Sequence, residues 1–492
     1  MRAPAPHTFE LAIKAMRGTL LRAGTRGGAF AGIAYDSRTT AAGQLFFALP
    51  GERVDGFAFA AQAAAAGAMG VVVARARGVP PGCDGLTVIG VDDPRLAMGD
   101  LARAVRAAFR GHVVGITGSM GKTTTKELAA AALRTLGDVL RTPGSLNTEI
   151  GLPVTVLSAS GDEAAWVLEM AMRGRGEIAY LADVARPTVG VITNVSGAHL
   201  ERLGSIEEIA RAKGELFAGL GHDGVAILPA DDPLIAAEVA RVAPERRITF
   251  EGAGRARLPV DVRLLEVLPA GVAGSVVRYA ARGTPVVVRL PLGGAHNARN
   301  GAAALAVALA VGAPIVEAAR ALETLELPPH RSAIVPAGGR VVLDDCYNAN
   351  PDAMRAALAS VVASAGAARA FAILGDMLEL GPAAEELHAG VGRDAGARLA
   401  GLVAVGAHAE AVVAGARAAG LAAARAVAAA SAEEAAARVA AWTSPGDWVL
   451  VKASRGMKLE RAVAALVATL QPDAPDPRRL SPSPHSPSAG RG

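Results

Sequence analysis

Between an apolar strand, His112–Ile116, and a helix that opens at Lys122, the chain reads Gly115-Ile-Thr-Gly-Ser-Met-Gly-Lys-Thr-Thr-Thr125. Few sequences constrain a fold more. Small residues let backbone N–H groups close around phosphate oxygens, and the start of the helix adds the positive end of its dipole. Lys122 is placed to meet terminal phosphates and Thr123 to meet magnesium, with Gly118, Ser119, Gly121 and Thr124 shaping the cradle. The spacing departs from the strict Walker pattern, because Ile116 stands six before Lys122. The loop alone says that phosphate binds; kinases, GTPases and transport ATPases share it, and a glycine turn without ligand is the bland alternative.

The surrounding pattern fixes the fold class as α/β. Fully apolar strands at Trp166–Leu168, Thr188–Val195 and Gly224–Leu228 alternate with helices, which means a mostly parallel sheet covered on both faces. A second alternation, with strands at Arg340–Leu343, Ala370–Leu374, Leu402–Val405 and Trp448–Val451, begins after Pro328-Pro329 and reads as a Rossmann-like domain. Short strands at Gln44–Leu49, Gly70–Val73 and Thr87–Val91 precede both. Three domains fit the 492 residues: a small α/β substrate domain over 1–110, a phosphate-loop ATPase domain over 111–313 and a C-terminal domain over 314–468. The Pro- and Ser-rich stretch 469–492 is expected to be a disordered tail.

Composition narrows the function. Lys+Arg 50 against Asp+Glu 46 leaves a net +4 spread along the chain, with no basic block interleaved with aromatics, so nucleic-acid binding is not expected. Two cysteines without ligand spacing argue against a disulfide framework and for a reducing compartment. No apolar leader is visible from Met1 to Gly18, and the most apolar run, Gly301–Val316, is too short to span a bilayer. A cytoplasmic protein without membrane insertion is the expectation.

Several polar residues stand where chemistry would need them. Glu169 ends an apolar strand, at the crevice side of a parallel sheet, suited to magnesium or else a surface acid. His199 follows the next strand by a short loop and is open to a structural or a catalytic reading. Lys213 falls on the apolar stripe of its helix with Ile206, Ile209, Ala210, Leu216 and Phe217. A lysine so turned must be paired, neutralised or modified, unless it snorkels. Asn297 and Asn300, one helical turn apart, present amides that suit adenine, or Asn297 caps the helix. Arg331 and Asp345 stand at the start of the last domain, where a nucleotide in an interdomain cleft is within reach.

Taken in order, from about Tyr35 to Leu466, these stretches closely resemble the Mur ligases of peptidoglycan synthesis. The loop GITGSMGKTTT, SLNTEIGLP (Ser145–Pro153), VLEM around Glu169, AHLERLGS around His199, RAKGEL around Lys213, HNARN (His296–Asn300), PHR (Pro329–Arg331) and LDDCYNANPDAM (Leu343–Met354) carry the resemblance. MRGRGEI, DDCYNANP, LGDMLELG and the early YDSR are similar to the branch that adds D-alanyl-D-alanine. Other amide ligases, such as folylpolyglutamate synthases, share the loop but are expected to lack DDCYNANP.

The resemblance implies an ATP- and Mg2+-dependent ligase joining UDP-N-acetylmuramoyl-tripeptide to D-Ala-D-Ala, with these as the partners of a cytoplasmic monomer, and with ATP bound at Gly118, Ser119, Gly121, Lys122, Thr123 and Thr124. It implies catalytic roles for Lys122, Glu169, His199 and Lys213, the last carbamylated to a carboxylate that organises a second magnesium with His199. ATP contacts follow for Asn297, Asn300, Arg331 and Asp345, and substrate contacts for Ser37, Arg38, Asn147, Thr148, Asn348, Asn350 and Arg455. Ala171, Ser196-Gly197 and Gly56-Phe57 depart from the usual family residues.

Overall fold

The computed structural model describes residues 3–51, 54–197, 200–271 and 274–471. His199 and the stretch 472–492 therefore lie outside the described residues. The chain forms two compact units that divide between Pro328 and Pro329, with Glu379–Pro382 counted in the first.

In the first unit a five-stranded sheet runs Thr19–Arg22, Thr87–Val91, Gly70–Ala74, Leu45–Phe47, Ile33–Ala34, antiparallel only at its first pair. Beside it stands a nine-stranded sheet in the order Thr284–Leu290, Ser275–Ala281, Val262–Pro269, Arg247–Phe250, Val225–Pro229, Val189–Ile192, His112–Thr117, Ala165–Glu169, Val139–Arg141. Its last six strands are parallel, as their unbroken apolar composition requires. Alternate residues feed two cores: Val114, Ile116 and Val167 pack with Leu128, Leu133 and Leu305, while Trp166 and Leu168 pack with Leu216 and Phe217. The Trp166 core continues into Phe47, Ile89 and Leu101, so the two sheets share it; Phe109 stacks on Trp166 at 4.0 Å between ring centroids. The antiparallel meander Val262–Leu290 was not foreseen. It extends the sheet and covers the helix Ala295–Ala310 through Tyr279, whose hydroxyl donates to the Ala298 carbonyl at 2.8 Å.

The helix Ile315–Ala321 packs with the helix Lys122–Leu133 and the strand Thr284–Leu290, and so belongs to the first unit. The two compact units thus divide after Pro328, with this helix on the first unit's side. The second unit is a six-stranded sheet, Ala333–Ala337, Arg340–Asp344, Trp448–Lys452, Ala370–Gly375, Gly401–Val405, Ala426–Ala429, parallel except at its first pair. Its last helix runs to Leu470, past the expected tail boundary at 468. No described helix is long and apolar enough to cross a membrane.

Candidate active site

The strand His112–Thr117 pairs with Ala165–Glu169 on one side and Val189–Ile192 on the other, so chain direction across the sheet reverses at its carboxyl end. That is where an open α/β sheet leaves a ligand crevice. The glycine loop leaves this point and enters the helix Lys122–Leu133. Two glycines are required there. Gly118 has φ +151°, and a Cβ on it would lie 1.9 Å from Thr193 Oγ1. Gly121 has φ +76°, and a Cβ would lie 2.4 Å from Asn300 Oδ1.

The neighbouring strand supplies the loop's support. Thr193 Oγ1 donates to the Met120 carbonyl at 2.6 Å, and Asn194 Oδ1 accepts from the Met120 N–H at 3.0 Å. These residues occupy the end of the expected strand Thr188–Val195, which stops at Ile192 so that its continuation can hold the loop. Ser119 Oγ donates to the Ser196 carbonyl at 3.1 Å. Lys122 Nζ donates to the Gly118 carbonyl at 2.6 Å, folded back over its own loop, while Thr124 is half-buried in the first helical turn.

Glu169 is buried, and each of its carboxylate oxygens is engaged. Thr123 Oγ1 donates to Oε2 at 2.8 Å and Asn147 Nδ2 to Oε1 at 2.8 Å. The surface reading of Glu169 is thereby corrected: a carboxylate this buried must be bonded to others. Behind it stands Lys126, fully buried and absent from the expected set. Its Nζ donates to the Thr142 carbonyl at 2.7 Å and lies 2.9 Å from Glu127 Oε1 and 3.9 Å from Glu169 Oε2. Its place one turn into the helix, among Lys122, three threonines and Glu127, gave no signal in the sequence.

Lys213 is 1 % exposed. It does not snorkel. Burial lowers its pKa well below the ordinary lysine value, and the Lys122 ammonium pushes the same way. Ile206, expected on the same buried stripe, is instead 41 % exposed, because it occupies the first helical position after the Ser205 cap.

Asn297 and Asn300 do face the same side, with Asn300 Nδ2 donating to Asn297 Oδ1 at 3.3 Å. They face the loop: Asn300 Oδ1 accepts from Thr125 Oγ1 at 3.3 Å. Asn297 is not the cap, since Gly294 occupies that position and Asn297 Nδ2 donates to the Gly293 carbonyl at 2.9 Å.

Oxygen donors of this kind suit Mg2+. The Thr123 hydroxyl and the Glu169 carboxylate are the groups that would hold it, and the Thr117 and Ser196 hydroxyl oxygens beside the loop are buried without a hydrogen-bond partner. Donor-poor atoms at the rim of a phosphate cradle fit a polar ligand.

In the small N-terminal sheet domain, Ser37 Oγ donates to Gln62 Oε1 at 2.9 Å. Arg38 is exposed and chelates Asp36, whose carboxyl its hydrogen bonds hold down to about 2. Thr148 is half-buried, its carbonyl accepting from Leu152.

In the second unit, Lys452 gathers the residues expected at nucleotide and substrate. Its Nζ lies 2.5 Å from Asp345 Oδ2 and donates to the Asn348 carbonyl at 2.9 Å. Asp345 Oδ1 accepts from the Ser332 N–H at 2.9 Å. The guanidinium groups of Arg331 and Arg455 stand 3.9 Å and 5.5 Å from the centre of the Tyr347 ring. Asn350 caps the helix Pro351–Ala365, its Oδ1 accepting from Ala353 N–H at 2.8 Å.

Comparison with known proteins fits this geometry. Three family models match in succession: Mur ligase family, catalytic domain over 29–106, Mur ligase middle domain over 116–308, and Mur ligase, glutamate ligase domain over 330–455. The chain belongs to the Mur ligase family. This Mur ligase is 40% identical to the UDP-N-acetylmuramoyl-tripeptide--D-alanyl-D-alanine ligase of Mycobacterium tuberculosis, over 89% of the chain and 92% of the relative. It resembles a crystal structure of MurF from Acinetobacter baumannii with a TM-score of 0.83 and 30% identity, covering 94% of this chain and 99% of that one. The MurF ligase of Thermotoga maritima in complex with ADP gives a TM-score of 0.77 at 29% identity, over 90% and 99%.

Proposed function

We infer that this Mur ligase joins UDP-N-acetylmuramoyl-tripeptide to D-Ala-D-Ala, with ATP hydrolysed to ADP and phosphate. The observation that carries the substrate pair is 40% identity, along nearly the whole chain, to a ligase named for that reaction. The site supplies a chemical rationale. A carboxylate is a poor acylating agent, so a tripeptide carboxylate oxygen first attacks the γ-phosphorus of ATP and ADP leaves. The dipeptide amine then attacks the acyl carbon, loses its proton, and phosphate departs.

Charge on the transferring phosphoryl group is stabilised by the Lys122 ammonium and the loop N–H groups. Thr123 and Glu169 would hold magnesium, which would supply further neutralisation of phosphate charge. Lys213 is read as a carbamate. A buried amine that has lost its proton is the form that captures carbon dioxide, and the product carboxylate places a negative charge next to Lys122 where an ammonium is disfavoured. Asn297, Asn300, Arg331 and Asp345 are assigned to ATP. Ser37, Arg38, Asn147, Thr148, Asn348, Asn350 and Arg455 are assigned to the peptide substrates, and His199 to the metal site. The reading carries a cytoplasmic monomer with it, which sedimentation of the purified chain checks.

Phosphate release by purified protein tests the reaction. It should need ATP, the UDP-tripeptide and D-Ala-D-Ala together. Equal turnover with a single free amino acid in place of the dipeptide would overturn the assignment.

A further inference from the structure

The second unit holds a cluster of donor atoms of its own. At the end of the strand Arg340–Asp344, Cys346 Sγ lies 2.8 Å from Asp344 Oδ1, and His330 Nδ1 lies 2.7 Å from Asp344 Oδ2. One donor atom from each residue lies within 4.8 Å of the other two. Cys346 is fully buried and Asp344 nearly so, while the His330 side chain keeps 30% of its surface. The cluster is thus closed on its sulfur side and open on its imidazole side.

We propose that Cys346, Asp344 and His330 form a binding site for a borderline divalent transition metal of the Zn2+ class. Thiolate, carboxylate and imidazole are the donor set such ions prefer, whereas Mg2+ requires a shell of oxygens. Ligands of one tetrahedral zinc stand about 3–4 Å apart, so the two short contacts need open by only about 1 Å. Charge also balances. A dication with one thiolate, one carboxylate and a neutral imidazole sums to zero, which removes the main penalty for burying the ion. On binding, bonds form from the metal to Sγ, to one Asp344 oxygen and to His330 Nδ1. The thiol proton goes to solvent, and the proton that His330 Nδ1 donates to Asp344 is given up there while a proton from solvent is carried on Nε2, leaving the imidazole neutral. No electron is transferred. Burial and the Asp344 carboxylate hold the thiol proton tightly, so only ions with strong affinity for sulfur displace it. The open side at half-buried His330 leaves the fourth position to water.

The location gives the site a consequence. His330 and Cys346 adjoin Arg331 and Asp345 in sequence, and Tyr347 N–H donates to the His330 carbonyl at 3.0 Å. A metal that draws His330 and Cys346 together fixes the backbone on which both assigned ATP residues ride. Zn2+ should therefore slow the ligase without competing with Mg2+. Metal binding is independent of the reaction proposed above; the effect on turnover rests on it.

The test is titration of the metal-free full chain with Co2+ in saturating Mg2+, reading the thiolate-to-cobalt charge-transfer absorption. The band should saturate at one equivalent, persist in Cys83→Ser, weaken in His330→Ala, disappear in Cys346→Ser and be displaced by Zn2+. Cys346→Ser retains a hydroxyl donor for Asp344, and circular dichroism confirms its fold; were it unfolded, the weakened band in His330→Ala would decide. No band in the wild type, or a band that survives Cys346→Ser, overturns the site. Phosphate release should be inhibited by Zn2+ in the wild type and spared in Cys346→Ser. Equal inhibition of both overturns the effect on turnover and leaves the spectroscopic result standing.

Discussion

Thr123 Oγ1 donates to Glu169 Oε2 at 2.8 Å, joining the first turn after the phosphate loop to the end of the adjacent parallel strand. A hydroxyl and a carboxylate so joined form one oxygen-rich pair, already assembled beside the cradle. Glu169→Gln keeps the shape and removes the charge. The expected outcome is a fall in kcat of about 10²–10³-fold with a raised Mg2+ requirement, measured as phosphate release against Mg2+ concentration. An unchanged Mg2+ dependence would refute the metal role.

Lys213 separates stability from activity. In CO2-free buffer burial disfavours its ammonium in the fold, while the unfolded chain still binds the proton up to about pH 10.4. The unfolded state therefore binds more protons between the depressed native pKa and about 10.4, and stability rises with pH across that window. Lys213→Met should flatten this slope and stabilise the fold at neutral pH by about 1–3 kcal/mol, read by denaturant unfolding. Lys213→Ala should lose activity and regain part of it with small carboxylates. A fully active Lys213→Ala enzyme would exclude the carbamate.

Lys452 is predicted to act through Asp345. Removing its ammonium in Lys452→Met leaves the carboxylate unpaired and releases the Asn348 carbonyl. Hydrogen bonds to charged groups contribute about 1.5–3 kcal/mol, so KM for ATP should rise about 10–100-fold. Initial rates at varied ATP check this, with circular dichroism to establish the fold; an unaltered KM would remove Asp345 from the nucleotide site.

Ser431 serves as the contrasting case. Its Oγ accepts from the Glu434 N–H at 3.1 Å at the start of the helix Ala432–Trp442, far in sequence from every assigned residue. Ser431→Ala should cost about 1 kcal/mol of stability and leave kinetics unchanged.

Much of this was legible in the sequence because the signals were local. The glycine loop, the apolar parallel strands and the inward Lys213 each follow from periodicity or from the needs of one turn. Non-local features were not legible. The strands Ser275–Ala281 and Thr284–Leu290 alternate buried with more exposed residues, while Val262–Pro269, largely exposed after Val262, takes its place in the sheet from the partner strand Arg247–Phe250. Thr193 and Asn194 read as the end of a strand until the loop they hold is in view. Lys126 and Lys452 are ordinary lysines in sequence, and only burial beside carboxylates gives them a role.

Gly118 and Thr193 meet so closely that the two positions cannot drift independently. A side chain gained at 118 collides with the hydroxyl at 193, and a hydroxyl lost at 193 frees the Met120 carbonyl it now binds. The order of substitutions then matters. Loss at 193 must come first, and the intermediate chain carries a loosened loop before any gain is possible. The glycine is thus retained by its neighbour across the sheet, and mutational paths out of this loop begin on the strand beside it.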